Sequence, residues 1–219
     1  MDADFMLKSL PLYIEAIGLI LRLCLFSVFF SLVIGFVCAL GRYYNVAVLQ
    51  RIAGVYIELS RNTPLLIQLF FLYFGLSQMG IKIASFPCAV IGLSFLGGGY
   101  MAEAFRGGFM AVGKGQIEAG LSIGLTRYQL IRYIVLPQAL EVAIPALGAN
   151  IIFLLKETSV VSIIALADLV AVAKDLIGMY YKTAESLTML VAGYILLLLP
   201  LVVLLHLIEK RLRYAEFGN

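Results

Sequence analysis

Charged residues are scarce in this chain: Asp, Glu, Lys and Arg make up 13% of 219 residues, against 63% apolar ones. An ordinary soluble domain carries about a quarter charged residues, so the shortage argues against a water-surrounded fold. A mean hydropathy of +1.03 points to a chain embedded in a membrane. The net charge is only +3, and the bases are scattered without a basic stripe, which excludes a nucleic-acid-binding surface. Cysteine is scarce too. Cys24, Cys38 and Cys88 form an odd set with no close pair, and Cys24 and Cys38 would lie about 21 Å apart on one helix, so neither a disulfide framework nor a zinc site is expected. The one histidine, His206, makes no metal site by itself. Without a serine, cysteine or histidine constellation, the chain is expected to be non-catalytic and to carry no metal or cofactor of its own. The acidic start Met1-Asp2-Ala3-Asp4 lacks the positive region of a cleavable signal, so the first apolar stretch is expected to be retained.

What the chain has in abundance is long apolar runs. A helix needs roughly 20 mostly apolar residues to cross hydrocarbon that offers its backbone no partners. Five stretches meet or approach that length: 14–40, 63–78, 83–105, 142–167 and 187–208. The fold expected is an all-α integral membrane protein with five transmembrane helices in a single domain over 1–219. The second stretch is the weakest. Asn62-Thr63-Pro64 reads as its start, with Thr63 as N-cap and Pro64 at the first helical position, and a separate short helix is expected over 52–60.

The bases set the orientation. Arg42, Arg51, Arg61, Arg106, Lys114, Arg127, Arg132, Lys210, Arg211 and Arg213 fall on one side, and only Lys8, Lys82, Lys174 and Lys182 on the other. The positive-inside tendency places the first group in the cytosol, leaving the N-terminus outside and the C-terminus inside. The segment over 107–137 is then a cytosolic loop.

That loop contains Glu118-Ala119-Gly120-Leu121-Ser122-Ile123-Gly124 and, further on, Ile134-Val135-Leu136-Pro137. Residues 116–123 suit a short helix that Gly124 can end with a positive φ. Thr126 and Gln129 have the spacing of a capping box that would start a second short helix, with Tyr128, Ile131, Ile134 and Val135 near one face and Arg127 and Arg132 left for polar contacts.

Glu118, Ala119, Gly124, Ile134, Leu136 and Pro137 stand in the register of the signature of ABC-importer permeases, which this loop resembles; Gly120 replaces the usual second Ala. The segments 58–68, 100–108 (Tyr100-Met-Ala-Glu103-Ala-Phe-Arg106-Gly107-Gly108) and 156–159 (Lys156-Glu157-Thr158-Ser159) are similar to polar amino-acid permeases. The resemblance implies a permease subunit of a type I importer in the bacterial inner membrane. It pairs with itself or a homologue, with two ATPase subunits that hold ATP and Mg, and usually with an extracytoplasmic solute-binding protein. Glu118, Ala119, Gly120, Gly124, Arg127 and Pro137 would carry the ATPase contact, Glu118 as a polar anchor and Ala119 and Gly120 allowing close approach.

One segment imitates other chemistry. Gly108-Phe-Met-Ala-Val-Gly113-Lys114-Gly115 copies a phosphate-binding loop but ends without the hydroxyl that holds magnesium, and an apolar helix precedes it where a strand is required. Ionisable groups within the spans remain as candidates for a solute path. Gln68, Tyr100, Glu103, Glu157 and Thr158 are the candidate contacts for a polar amino acid, with Glu157 meeting its ammonium group. Tyr100, Glu103 and Arg106 share a helical face, so Glu103 can bind solute or close on Arg106. Lys156 and Glu157 can pair or meet solute, Arg22 is expected to pair or to snorkel, and Gly97, Gly98 and Gly99 are read as packing residues. The alternative from another class is an ion-gradient-driven carrier or channel subunit that uses the buried acids as a proton relay; it leaves the loop without a role.

Overall fold

A computed structural model describes residues 1–44 and 46–217, with side chains to Arg211; Arg213 therefore lies outside the described side chains. Among the described residues all regular structure is helical. Helix α1 runs over Ala3–Tyr43 and α2 over Ala47–Asn62. They are followed by α3 over Leu65–Gln78, with a π-helical stretch at Phe71–Gly75, and α4 over Ser85–Ala111. A short α5 spans Lys114–Ser122. The run Arg127–Ile164, here α6, is α-helical over Arg127–Leu130, π-helical over Ile131–Val135, α-helical again over Leu136–Glu157 and ends as a 3-10 helix over Thr158–Ile164. Helices α7, Leu169–Tyr180, and α8, Thr183–Phe217, complete the chain.

Among the described residues four helices are long and apolar enough to cross a bilayer: α1, α4, α6 and α8. The fifth expected stretch, α3, is shorter, about 21 Å at 1.5 Å per residue. Its start corrects the expected cap. Pro64 has an extended backbone (φ −60°, ψ 138°) and is itself the N-cap residue, its carbonyl accepting from Ile67 N and Gln68 N. Thr63 instead receives the Gln68 side-chain amide on its carbonyl at 3.0 Å and on its hydroxyl at 3.2 Å. The short helix expected over 52–60 is longer, α2, because its apolar stripe of Ala53, Ile57 and the small Ser60 is buried along one face.

The chain forms two compact units. The first takes Met1–Phe29, Thr63–Phe95 and Ile152–Leu204. Its core joins Tyr13, Ile20 and Cys24 of α1 with Leu155 of α6, Leu169 and Leu176 of α7 and Met189 and Leu197 of α8. Tyr13 is held at depth by its hydroxyl, which donates to the Ser186 carbonyl at 2.9 Å.

The second unit takes Phe30–Asn62, Leu96–Ile151 and Leu205–Asn219. Small residues set its spacing. A Cβ added to Gly98 would collide with the Tyr56 hydroxyl and Ile34, and one on Gly99 with the Ser60 hydroxyl, so side chains of α1 and α2 rest directly on the backbone of α4, the packing role read for these glycines. Beyond them Phe36 stacks edge-on against Phe105 at 5.3 Å and Tyr43 packs on Phe109 at 5.1 Å.

Candidate functional site: a helical elbow and a charged cluster

The loop 107–137 lies in the second unit and forms an elbow. Helix α5 ends in a Schellman motif: Gly124 has φ +82°, its N–H bonds the Leu121 carbonyl at 3.0 Å, and Leu125 N–H reaches the Gly120 carbonyl at 3.1 Å. Two residues later the chain restarts with the expected capping box. Thr126 Oγ1 accepts from Gln129 N at 3.3 Å while Gln129 Oε1 accepts from Thr126 N at 2.9 Å. The two reversals are closed by their own hydrogen bonds, so the bend is set locally. A side-chain clasp between Gln138 and Gln116 ties α5 to the first α-helical turns of the span beyond it.

Two details differ from the sequence reading. The second short helix is not separate: it continues through the π-helical turn Ile131–Val135 into the membrane helix. Pro137 has no N–H to give the preceding turn, and the wider π turn just before it lets the helix proceed. The elbow is therefore continuous with α6. Second, the face it buries is Leu130 and Val135, whereas Tyr128 is 70% exposed.

Gly120 is buried and faces inward: a Cβ there would press on the tips of Leu130 and Ile134, so its small size serves packing between α5 and α6. Glu118, Ala119, Gly124, Arg127 and Pro137 are exposed. Beside them stand Leu121 and Ile123, 50% and 77% exposed, which sequence reasoning passed over. Large apolar side chains held out on a turn that satisfies its own hydrogen bonds, next to a carboxylate, make a surface suited to a partner groove.

The same unit holds Tyr100, Glu103 and Arg106 on α4. Glu103 is gripped from two sides: Arg42 Nη1 of α1 donates to Oε1 at 2.7 Å, and Arg106 donates to Oε2 from Nη2 at 2.6 Å and from Nε at 2.8 Å. Arg42 was read only as a topology marker; its partner is 61 residues away in sequence, beyond any local pattern. The Arg61 guanidinium sits 5.1 Å over the Tyr100 ring, and Asn150 Nδ2 donates to the Tyr100 carbonyl at 3.2 Å.

The first unit holds the other candidates. Helix α3, with Gln68, packs on the 3-10 segment that begins at Thr158. Thr158 is fully buried and its hydroxyl donates to the Leu155 carbonyl at 2.7 Å, satisfying a carbonyl where the α-helix tightens to 3-10. Lys156 is exposed and Glu157 half-buried at the same junction, and among the described residues neither takes part in an ion pair. Arg22 donates to the Gly18 carbonyl of its own helix, and Cys24, Cys38 and Cys88 are unbridged.

Comparison with known proteins places this architecture. Residues 31–214 match the family described as binding-protein-dependent transport system inner membrane component. The glutamine transport system permease protein GlnP of Escherichia coli K12 is 32% identical over 207 residues, 94% of each chain. The probable amino-acid permease protein YxeN of Bacillus subtilis is 38% identical over 176 residues, 79% of each. A chain from the crystal structure of an amino acid ABC transporter with histidines superposes with a TM-score of 0.89 at 36% identity, over 96% of this chain and 99% of that one. A chain of the MetNI methionine ABC transporter matches at 0.79 with 21% identity, over 97% and 99%, a likeness of fold. With a family match over most of its length and relatives above 30% identity across nearly the whole chain, this all-helical protein belongs to the inner-membrane components of binding-protein-dependent transport systems, as a multi-pass permease chain.

Proposed function

We propose that this chain is the transmembrane permease subunit of an ATP-driven importer for polar amino acids, forming an alternating-access path and coupling to separate ATPase subunits through the elbow over 107–137. The observation that carries the reading is the elbow itself. A Schellman stop and a capping box lock a bend that presents Glu118, Leu121 and Ile123 outward and runs without a break into α6, so a force applied to it is delivered to a membrane helix. Relatives and a solved neighbour named as amino-acid permeases and transporters supply the substrate class.

In this reading the chain acts as one transmembrane domain with five spans, α3 being the short one, its N-terminus outside and C-terminus cytosolic. Two ATPase subunits hold ATP and Mg, a second permease of the same or a homologous kind completes the path, and an extracytoplasmic binding protein delivers solute. The chain performs no covalent chemistry. Gln68, Tyr100, Glu103, Glu157 and Thr158 are proposed for the solute path. Among them Glu157 is the first choice for an ammonium contact, because it stands half-buried at a helix junction outside any ion pair among the described residues.

The test is charge reversal on the elbow. Glu118→Lys is expected to weaken co-purification of the ATPase subunits by at least about tenfold, the scale of one lost charge-assisted contact, and to abolish uptake while the permease still inserts and folds. Full ATPase recovery with undiminished uptake would remove the elbow as the coupling element.

A further inference from the structure

The Arg42–Glu103–Arg106 cluster has a charge imbalance that its own pairing does not resolve. One carboxylate is shared by two guanidiniums, leaving one positive charge in excess. The cluster is not sealed: the Arg42 side chain keeps 29% of its surface and that of Arg106 37%. Both guanidiniums line a cavity of about 170 Å³ whose other walls include Tyr43, Gln50, Phe109 and Met110. Its lining is mostly apolar, with Arg42, Arg106, Gln50 and Tyr43 as the residues that carry polar groups. Glu103, the one acid of the cluster, is not among the lining residues.

The position of the cavity is as informative as its chemistry. Arg42 ends the apolar course of α1, Arg106 follows that of α4, and Gln50 lies in the first turn of α2. Next to the lining residues in sequence, Tyr44, Val46, Val48 and Leu49 are exposed, as is Met110 of the lining itself. Guanidiniums beside an exposed tyrosine and exposed aliphatic side chains at the ends of spans form the arrangement that holds an anionic headgroup over its acyl chains.

We propose that this cavity is a binding site for a phosphate-bearing anion, supplied by an anionic phospholipid of the leaflet in which these helix ends lie. The Arg42 nitrogens that do not hold Glu103 give the phosphate oxygens charged donors; Arg106 Nη1, which rests on Met110 Sδ at 2.8 Å, exchanges that weak sulfur acceptor for phosphate oxygen. The Gln50 amide adds a neutral donor, and Phe109 and the released Met110 meet the glycerol and upper acyl carbons. Glu103 orients the two arginines and keeps them extended when the site is empty of ligand. The site is independent of the solute carried, so its test stands apart from that of the transport reading.

The experiment is native mass spectrometry of the full-length chain, alone and in its transporter assembly. It is released from mixed micelles holding equal phosphatidylglycerol and phosphatidylcholine, with a parallel arm in inorganic phosphate without lipid. The parent protein is expected to retain phosphatidylglycerol over phosphatidylcholine. Arg106→Gln should lower that preference about fivefold, the weight of one base at an anionic surface. Because Arg106 also supports Glu103, the second variant is Gln50→Glu, which leaves both ion pairs in place and puts a negative charge in the cavity; it should erase the preference while the thermal midpoint stays at the parent's value. Direct retention of inorganic phosphate, lost in Gln50→Glu, would assign the same site to a soluble phosphate. Equal phosphatidylglycerol retention by the parent, Arg106→Gln and Gln50→Glu, with no phosphate bound, would overturn the proposal.

Discussion

Asp168 stands in the turn between α6 and α7, where its side chain caps α7: Oδ1 accepts from Ala171 N at 2.9 Å. The residue is fully buried, and Oδ2 has no hydrogen-bond partner among the described residues. Burial pushes its pKa up to about 6 from an ordinary 3.8, against the opposing pull of the cap amides and of Lys174. The folded state therefore holds this proton more tightly than the unfolded one. Its contribution is neutral below about pH 3.8, turns unfavourable as pH rises toward 6 and stays so above, by at most about 3 kcal/mol at 1.36 kcal/mol per pKa unit. Asp168→Asn keeps the cap, since Asn caps as well as Asp, and removes the charge. We expect the Asn variant to unfold at a higher temperature than the parent at pH 7 and to lose the parent's gain in stability between pH 7 and pH 5. A parent and variant with parallel pH profiles would show that the carboxylate is ionised at no cost. The pair Asp2 and Lys182 behaves oppositely: the Lys182 ammonium bonding to Asp2 lowers the Asp2 pKa and raises that of Lys182, so this exposed contact is present across the neutral range.

Helices of this chain meet through glycines whose neighbours decide what each will tolerate. Gly107 and Gly108 are adjacent on α4, yet a Cβ on Gly107 meets nothing within 4 Å while one on Gly108 runs into the Ala139 carbonyl of α6. That carbonyl belongs to the backbone and cannot swing aside. Gly107→Ala should be neutral or stabilising by up to about 1 kcal/mol through helix propensity. Gly108→Ala should destabilise by roughly 1–3 kcal/mol or prevent folding, as overpacking does. Thermal unfolding of the two variants side by side checks this, and equal midpoints would mean that α4 and α6 are not packed as described. Such pair contacts were not legible in the sequence, since Gly108 and Ala139 share no local pattern. The elbow was legible because its signals are local: Gly124 at a helix stop and Thr126 three residues before Gln129 name their own hydrogen bonds. The run-on from the elbow into the span was not, because Pro137 reads as a break until a π turn relieves it. The grip of Arg42 on Glu103 was hidden for the reason that hid Gly108: a helix register cannot reveal which face a distant helix will present.

At the scale of the whole molecule, burial divides the long helices. The most apolar window of α4 is 72% buried inside the chain, whereas that of α8 is 11% buried and that of α1 33%. Helix α4 is thus mostly enclosed by the rest of the chain, while α1 and α8 leave apolar faces uncovered, suited to lipid or to other subunits. At 27 residues α4 is about 40 Å long, more than the hydrocarbon thickness of about 30 Å, so it is long enough to place the chain on its two sides in two compartments. Met79 precedes α4 and Ile123 follows it, 72% and 77% exposed; Tyr181, 87% exposed, follows α6. With Cys24, Cys38 and Cys88 replaced by Ala, single variants Met79→Cys, Ile123→Cys and Tyr181→Cys report whether α4 and α6 each cross and in which direction. A membrane-impermeant maleimide should label the first and third in intact cells and the second only in inverted vesicles, because ten of the fourteen bases outside the spans lie on the side of Ile123. Labelling of Ile123→Cys from outside would reverse the orientation and take the elbow out of reach of any cytosolic ATPase. Labelling of Ile123→Cys and Tyr181→Cys from the same side would mean that α6 fails to cross, and an elbow fused to a helix that does not cross could not move the path.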